Sequence, residues 1–292
     1  MGPIGGRAYG LTLVTGAAVL WSTAGLFVRL LDMDIWTMLG WRSLFAALSL
    51  ILVTAFQHGR HTSKALRAIG RGGLAAIPVA AVSMGSYVIA LELTTVANVM
   101  TVYATVPFVA TAIAFFWIGE KVGARVLAAS AVALLGIAIM AGSATRPSDI
   151  AGNAIAFLMT LAFATQLVMA RRHPSLDMAP INAGGAALCA MISWPLMAGG
   201  IPRLPQLVVL ALFGATNTAL AYILFLTGGR HIPSGEAGLV GLLDVVLGPL
   251  WVWLAFREYP GQAAILGGGI VFAAVVWYLS AGLRGRSSRA PL

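Results

Sequence analysis

Charge is what this sequence has least of. Only 9% of its 292 residues are Asp, Glu, Lys or Arg, while 60% are apolar. A soluble domain carries about 25% charged residues. So little charge cannot cover the outside of a water-soluble fold, and a mean hydropathy of +0.92 makes the same point. Soluble enzymes, nucleic-acid binders and secreted scaffolds are excluded, and an integral membrane protein is expected. Cysteine is nearly absent too. The single Cys189 lies in an apolar run, so no intrachain disulfide can form and no metal cluster is implied. All four histidines (58, 61, 173 and 231) fall in expected loops, leaving no imidazole ligand for a metal at membrane depth. There is no phosphate-binding Gly-Lys loop and no polar stretch long enough for a nucleotide domain, so no cofactor is expected.

What the chain does have is long apolar runs. A bilayer core needs ~20 apolar residues per helix. Cutting at charges, Pro and Gly gives ten such segments: 9–31, 35–56, 72–92, 96–118, 123–143, 150–171, 178–199, 205–227, 235–256 and 260–282. Their uninterrupted apolar character argues for helices over barrel strands, which alternate with period two. The run Leu11–Leu20 followed by Ser22-Thr23-Ala24 has the outline of a signal peptide, but the apolar stretch continues through Val28, which favours a retained helix. The net charge of +9 reads as topology. With the N-terminus in the cytoplasm, thirteen Lys and Arg fall inside and five (Arg29, Arg42, Arg146, Arg203, Arg257) outside. The excess of basic residues on one side places both termini in the cytoplasm.

The sequence also repeats. Ala162-Phe163-Ala164-Thr165 through Arg171 follows Leu20-Trp21-Ser22-Thr23 through Arg29 at an offset of 142, and Leu254-Ala255-Phe256-Arg257-Glu258 follows Phe116-Trp117-Ile118-Gly119-Glu120 at an offset of 138. Five segments per half, an odd number, make the second half enter the membrane from the opposite side. The expected fold is therefore all-α, with ten transmembrane helices as two inverted-topology five-helix repeats over 1–146 and 147–292. Such repeats place a site near the bilayer midplane, between the halves.

Ten segments in two halves, Gly119-Glu120-Lys121 and Arg257-Glu258 closing the fourth helix of each, and Pro107 ahead of Glu120 together resemble the drug/metabolite transporter superfamily of EamA type. The resemblance spans nearly the whole chain. Within it the chain looks most like aromatic amino-acid and metabolite exporters of bacterial inner membranes, which implies that localisation and export as the direction. One position departs from the family pattern: Asp244-Val245 stands where a Glu-Pro pair often occurs, so a proton-coupling role does not carry over directly.

Ionisable groups at membrane depth are costly and mark candidate sites. Asp244 is the one acid near a segment centre, fit for a proton or a substrate ammonium, or else a buried structural carboxyl. Glu236 opens the same segment, either as first-turn chemistry behind an N-cap at Ser234 or as a gate. Glu92, Glu120 and Glu258 end their segments and read as helix-terminal carboxylates. Arg42 is the deepest base, expected to extend outward or to pair with Asp32 or Asp34, with substrate binding as the third reading. Trp21, Ser83, Tyr87, Tyr103, Gln166, Asn217 and Tyr222 are mid-segment polar or aromatic residues that would line a cavity for an amphipathic solute; the plainer reading of each is packing. Asn98 and Thr101 lie in the same part of the fourth segment. Pro107 and Pro249 are expected to interrupt the fourth and ninth segments at matching places, marking hinges. Small-residue runs such as Gly267-Gly268-Gly269 let helices approach closely, in a monomer rather than a dimer.

These features predict a secondary transporter, not an enzyme. It would export neutral or aromatic amino acids by alternating access, with membrane lipids, a small-molecule substrate and protons as its partners. Proton-coupled efflux of lipophilic cations at Asp244 is the alternative, and a passive channel would differ in showing no saturation. Phosphorylated substrates need several buried bases. An intramembrane hydrolase would need a histidine or a second acid at depth.

Overall fold

The computed structural model describes residues 3–62, 69–94, 96–121, 123–141, 150–198, 200–257 and 261–287, and all regular structure among them is helical. The helices are α1 (Pro3–Ser22), α2 (Ala24–Leu31), α3 (Ile35–His58), α4 (Gly70–Leu93), α5 (Val96–Tyr103), α6 (Val106–Ile118), α7 (Ala124–Ala141), α8 (Ile150–Arg172), α9 (Met178–Ser193), α10 (Leu204–Leu212), α11 (Ala221–Gly229), α12 (Ser234–Gly241), α13 (Leu243–Phe256) and α14 (Gln262–Ser287). A π-helical stretch, Phe213–Leu220, joins α10 to α11. Among the described residues seven rods are long and apolar enough to cross a membrane: Gly6–Leu31, Ile35–His58, Gly72–Ala90, Asn98–Ile118, Ile150–Arg172, Leu204–Gly229 and Ser234–Phe256. Ala124–Ile139 and Ile265–Ser280 are shorter apolar helices. Phe56, Phe116 and Leu266 stand exposed on the outside of the bundle, as expected where the surrounding solvent is hydrocarbon.

The ends of the rods follow from their residues. Asp34 caps α3 by accepting from Thr37 N–H at 2.9 Å, and Asp177 caps α9 by accepting from Ala179 N–H at 3.0 Å. Burial is the largest single influence on the Asp34 carboxyl and pushes it up, but hydrogen bonds from Thr37, Ala198 and Trp36 together outweigh it and hold the group below its ordinary range. Gly119 ends α6 in the left-handed region at φ 66°, and Arg257 ends α13 in the same region at φ 57°. These two stand 138 residues apart, the offset of the second sequence match. The breaks inside the rods match as well: α5 stops before Ala104-Thr105, and α12 stops before Leu242, again 138 residues on.

Packing follows the same exchange of halves. α3 lies on α9, and α7 on α14. The contact of α4 with α8 has its counterpart in that of α11 with α1, the contact of α6 with α8 in that of α13 with α1, and the contact of α4 with α9 in that of the π-helical stretch with α3. Backbones come close where both crossing residues are small. A Cβ on Gly10 would lie 2.9 Å from the carbonyl oxygen of Gly228, and one on Gly228 would lie 2.7 Å from that of Gly10, so glycine at both positions sets the distance between α1 and α11. A Cβ on Gly136 of α7 would meet the Gly267 carbonyl oxygen of α14 at 2.6 Å, so this small-residue run packs within the chain.

Candidate functional site

A cavity of about 430 Å³ lies between the rods. Its wall includes Trp21, Ser83, Tyr87, Tyr103, Asn217, Tyr222 and Asp244, contributed by α1, α4, α5, the π-helical stretch, α11 and α13. Seven of the eight side chains picked from the sequence as cavity residues are thus brought to one place. Met33 and Ile35, at the turn from α2 to α3, mark the end towards which the cavity extends. A second cavity of about 280 Å³ approaches from the other end of the bundle, lined by Gln57, His58, Asp177, Thr227 and Arg230. Tyr222 lines both.

The partition between the two cavities is aromatic. Trp21 meets Phe163 and Tyr222 edge-on, each at 5.5 Å between ring centroids, and leans on Phe225 at 4.9 Å. Tyr103 adjoins Phe163 at 6.0 Å. The Tyr222 hydroxyl and Ser83 Oγ hydrogen-bond at 3.2 Å, linking α11 to α4. Asn217 Nδ2 donates to the carbonyl oxygens of Leu20 and Trp21 at 2.7 and 3.0 Å. The π-helical geometry around Asn217 leaves α10–α11 off the regular ladder, a local feature often found at functional positions. The acceptors it meets, in α1, are themselves next to a break, since α1 stops at Ser22 and resumes at Ala24.

Several expectations need correction. Gln166 does not reach the cavity: it is fully buried in α8, and neither amide atom has a hydrogen-bond partner. Pro249 does not interrupt its rod. It sits inside α13, and the break lies at Leu242, next to Gly241. Pro107, by contrast, stands in the first turn of α6, just after the break at Ala104-Thr105, where its missing N–H is cheap. Gly238 fits against it, since a Cβ there would lie 3.0 Å from Pro107 Cα. Arg42 neither extends outward nor pairs with Asp32 or Asp34 among the described residues. Its guanidinium lines the cavity 5.2 Å over the Phe213 ring. Asn98 is not on the cavity wall and donates to Thr94 Oγ1 at 2.8 Å.

The acidic helix ends form a network between the halves. Glu236 is buried and pairs with Arg7 of α1, while Tyr278 of α14 adjoins both. Glu120 forms an ion pair with Arg171, Oε2 to Nε at 3.2 Å, and accepts from Ser234 N–H at 3.0 Å, so it caps α12 from the end of α6. The N-cap position of α12 is Pro233 rather than Ser234. A third cavity, about 400 Å³, lies beside this network, lined by Arg7, Glu120, Lys121, Arg125 and Glu236. Nothing local in the sequence announces Arg7 with Glu236, which are 229 residues apart. Glu258 and the boundary proposed between residues 146 and 147 lie outside the described residues, as do Lys64, Arg67, Arg146 and Arg289. Among the described residues no group of His, Cys, Asp and Glu is arranged to hold a metal ion.

Comparison with known proteins places this architecture. The profile of the EamA-like transporter family matches residues 8–142 and again 150–280. A solved crystal structure superposes with a TM-score of 0.80 over 92% of this chain and 96% of that one, at 18% identity, which shows a shared fold. No curated protein matches the chain by sequence.

Proposed function

Because the chain belongs to the EamA-like transporter family, we propose that it is a secondary transporter that exports small amphipathic solutes, above all neutral and aromatic amino acids, across a bacterial inner membrane by alternating access. The observation that carries this reading is the central cavity: one space lined from both halves, mostly apolar and aromatic, with a few polar groups at fixed places. Binding sites for small organic solutes have this composition. At about 430 Å³ it is of the size that holds an amino acid with a ring.

In this reading the chain spans the membrane ten times as two inverted repeats with both termini in the cytoplasm. The cavity of Gln57, His58 and Arg230 then faces the cytoplasm, the central cavity extends outward, and the aromatic partition of Trp21, Phe163 and Tyr222 separates them. Trp21, Tyr87, Tyr103 and Tyr222 hold the solute's side chain, and Ser83, Asn217 and Asp244 meet its polar groups. Rods that break at Ala104-Thr105 and at Leu242 supply the bends about which the halves rock, with Pro107 fixing the first and Pro249 stiffening the helix beyond the second. Glu236 holds the cytoplasmic end shut through Arg7.

The test is transport by purified protein in liposomes loaded with a panel of labelled amino acids, with and without an imposed pH gradient. Saturable release of aromatic or branched amino acids is expected, and acceleration by the gradient identifies protons as the coupling ion. Release of lipophilic cations but of no amino acid would overturn the substrate assignment in favour of cation efflux at Asp244, and unsaturable flux would replace the transporter by a channel.

A further inference from the structure

The central cavity holds two charged side chains that do not satisfy each other. Arg42 enters from α3 and Asp244 from α13, and among the described residues neither takes part in an ion pair. Arg42 Nε and Asp244 Oδ1 are both shielded from solvent, and neither has a hydrogen-bond partner. Asp244 otherwise touches the backbone amide of Val245, and the guanidinium rests on the face of Phe213. Tyr87 lies within electrostatic reach of both charges, Tyr222 of Arg42, and Tyr103 of Asp244. The phenol-lined space therefore runs between a positive and a negative pole.

Burying an ion away from water without a partner costs several kcal/mol. A cavity that keeps two of opposite sign unpaired is complementary to a solute that brings the missing partners. A lipophilic cation would satisfy Asp244 and be repelled by Arg42. An anion would do the reverse. A solute with a carboxylate and an ammonium satisfies both, and Arg offers its fork to a carboxylate in two parallel hydrogen bonds.

We infer that Arg42 is the carboxylate anchor and Asp244 the ammonium anchor of a zwitterion site, which makes the pair of charges, rather than the aromatic wall, the discriminator of α-amino acids from amines and from carboxylic acids. This rests on the amino-acid reading of the cavity and adds to it a residue, Arg42, and a rule of selectivity. The aromatic wall then sorts side chains among the zwitterions admitted.

The experiment compares three solutes that share one side chain: phenylalanine, phenethylamine without the carboxylate, and 3-phenylpropionate without the ammonium. Each competes for uptake of labelled phenylalanine into liposomes holding wild-type protein. Unlabelled phenylalanine is expected to compete at least tenfold better than either analogue. Arg42→Gln is expected to raise the KM for phenylalanine at least tenfold while leaving competition by phenethylamine, relative to phenylalanine, equal or improved. Asp244→Asn is expected to do the converse for 3-phenylpropionate. Arg42→Lys, which keeps the charge and loses the fork, recovers part of the affinity. Because the wild-type competition series needs no variant, a substitution that fails to fold leaves the test intact. Phenethylamine competing as well as phenylalanine, or an unchanged KM in folded Arg42→Gln, would overturn the inference and leave amino-acid export standing. Absence of phenylalanine transport and of competition by any of the three would overturn both.

Discussion

Arg7 and Glu236 join α1 to α12 across the two halves, and the Glu236 side chain is only 2% exposed against 22% for Arg7. Removing one partner of a buried pair leaves the other charge without compensation at a cost of about 3–5 kcal/mol. The residual exposure of Arg7 argues for the low end, about 3 kcal/mol, which is roughly a 150-fold change in an equilibrium. If the pair holds this end of the transporter shut, Arg7→Met penalises the closed form by that amount, because opening lets water reach Glu236. The assay places a cysteine on the central cavity wall, Thr218→Cys in a Cys189→Ser background, and adds a membrane-impermeant maleimide to one face of oriented vesicles at a time. From the face that carries Arg7, the labelling rate should rise by one hundredfold or so in Arg7→Met and return to near the starting rate in Arg7→Met/Glu236→Leu, where neither charge remains. A loss of thermal stability with no change in labelling from that face would refute the reasoning and make the pair a structural clamp.

Gln166→Leu should leave transport at the wild-type rate and raise or preserve thermal stability in detergent, since it removes two unpartnered buried amide atoms; lost transport in the folded variant would return Gln166 to the site. Trp21→Ala should slow transport of aromatic amino acids at least tenfold while the protein stays folded, because it opens the partition where three aromatic contacts meet. Arg257→Gly should raise stability by about 1 kcal/mol, because a side chain at φ 57° is strained where glycine is not; a lowered melting temperature would show that the arginine side chain does something the backbone term does not outweigh. Gly228→Ala should cost about 1–3 kcal/mol through its clash with the Gly10 carbonyl, read as a fall in melting temperature.

The helices were legible because membrane segments are bounded by the residues that lipid excludes. Gly119-Glu120-Lys121 and Arg257-Glu258 mark ends of the apolar runs, with charges that the hydrocarbon cannot accommodate. The cavity was legible for a related reason: a tyrosine, tryptophan or acid in mid-segment is dear in lipid, so it faces protein or a polar space. What could not be read was which way a residue faces on a helix that is apolar all round. α8 has Thr, Phe, Gln and Met on successive turns with no polar stripe to orient it, so its pattern gives no direction for the Gln166 side chain, which packs away from the cavity. Arg42 misled through its length, since a long stem at that depth reaches either the interface or the interior. The break at Leu242 followed Gly241 rather than Pro249 because a proline forbids only the bond to the carbonyl one turn back, which a helix can forgo with a bend. The Arg7–Glu236 pair has no local sequence signal at all, as its members meet only when the two halves assemble.

Two contacts described above have an unusual arithmetic. Trp21 and Phe163 touch, and they stand 142 residues apart, which is the offset that carries the first helix onto the sixth segment. Ser83 and Tyr222 are bonded at a separation of 139 residues, between the two repeat offsets. Each residue is therefore its neighbour's counterpart in the other half, or within a position or so of being it. In the alternating-access reading proposed above, interchange of the halves relates an inward-facing form to an outward-facing one, and it carries the first of these contacts onto itself and the second nearly so. In that reading they belong to the fulcrum: a seam of fixed points that both end states share, around which the rods exchange neighbours. The side chains that tell one state from the other then lie away from it, among pairs such as Arg7 and Glu236 whose images cannot form an ion pair, since Asp149 stands 142 residues after Arg7. For Glu236, the position 138 residues earlier is Asn98.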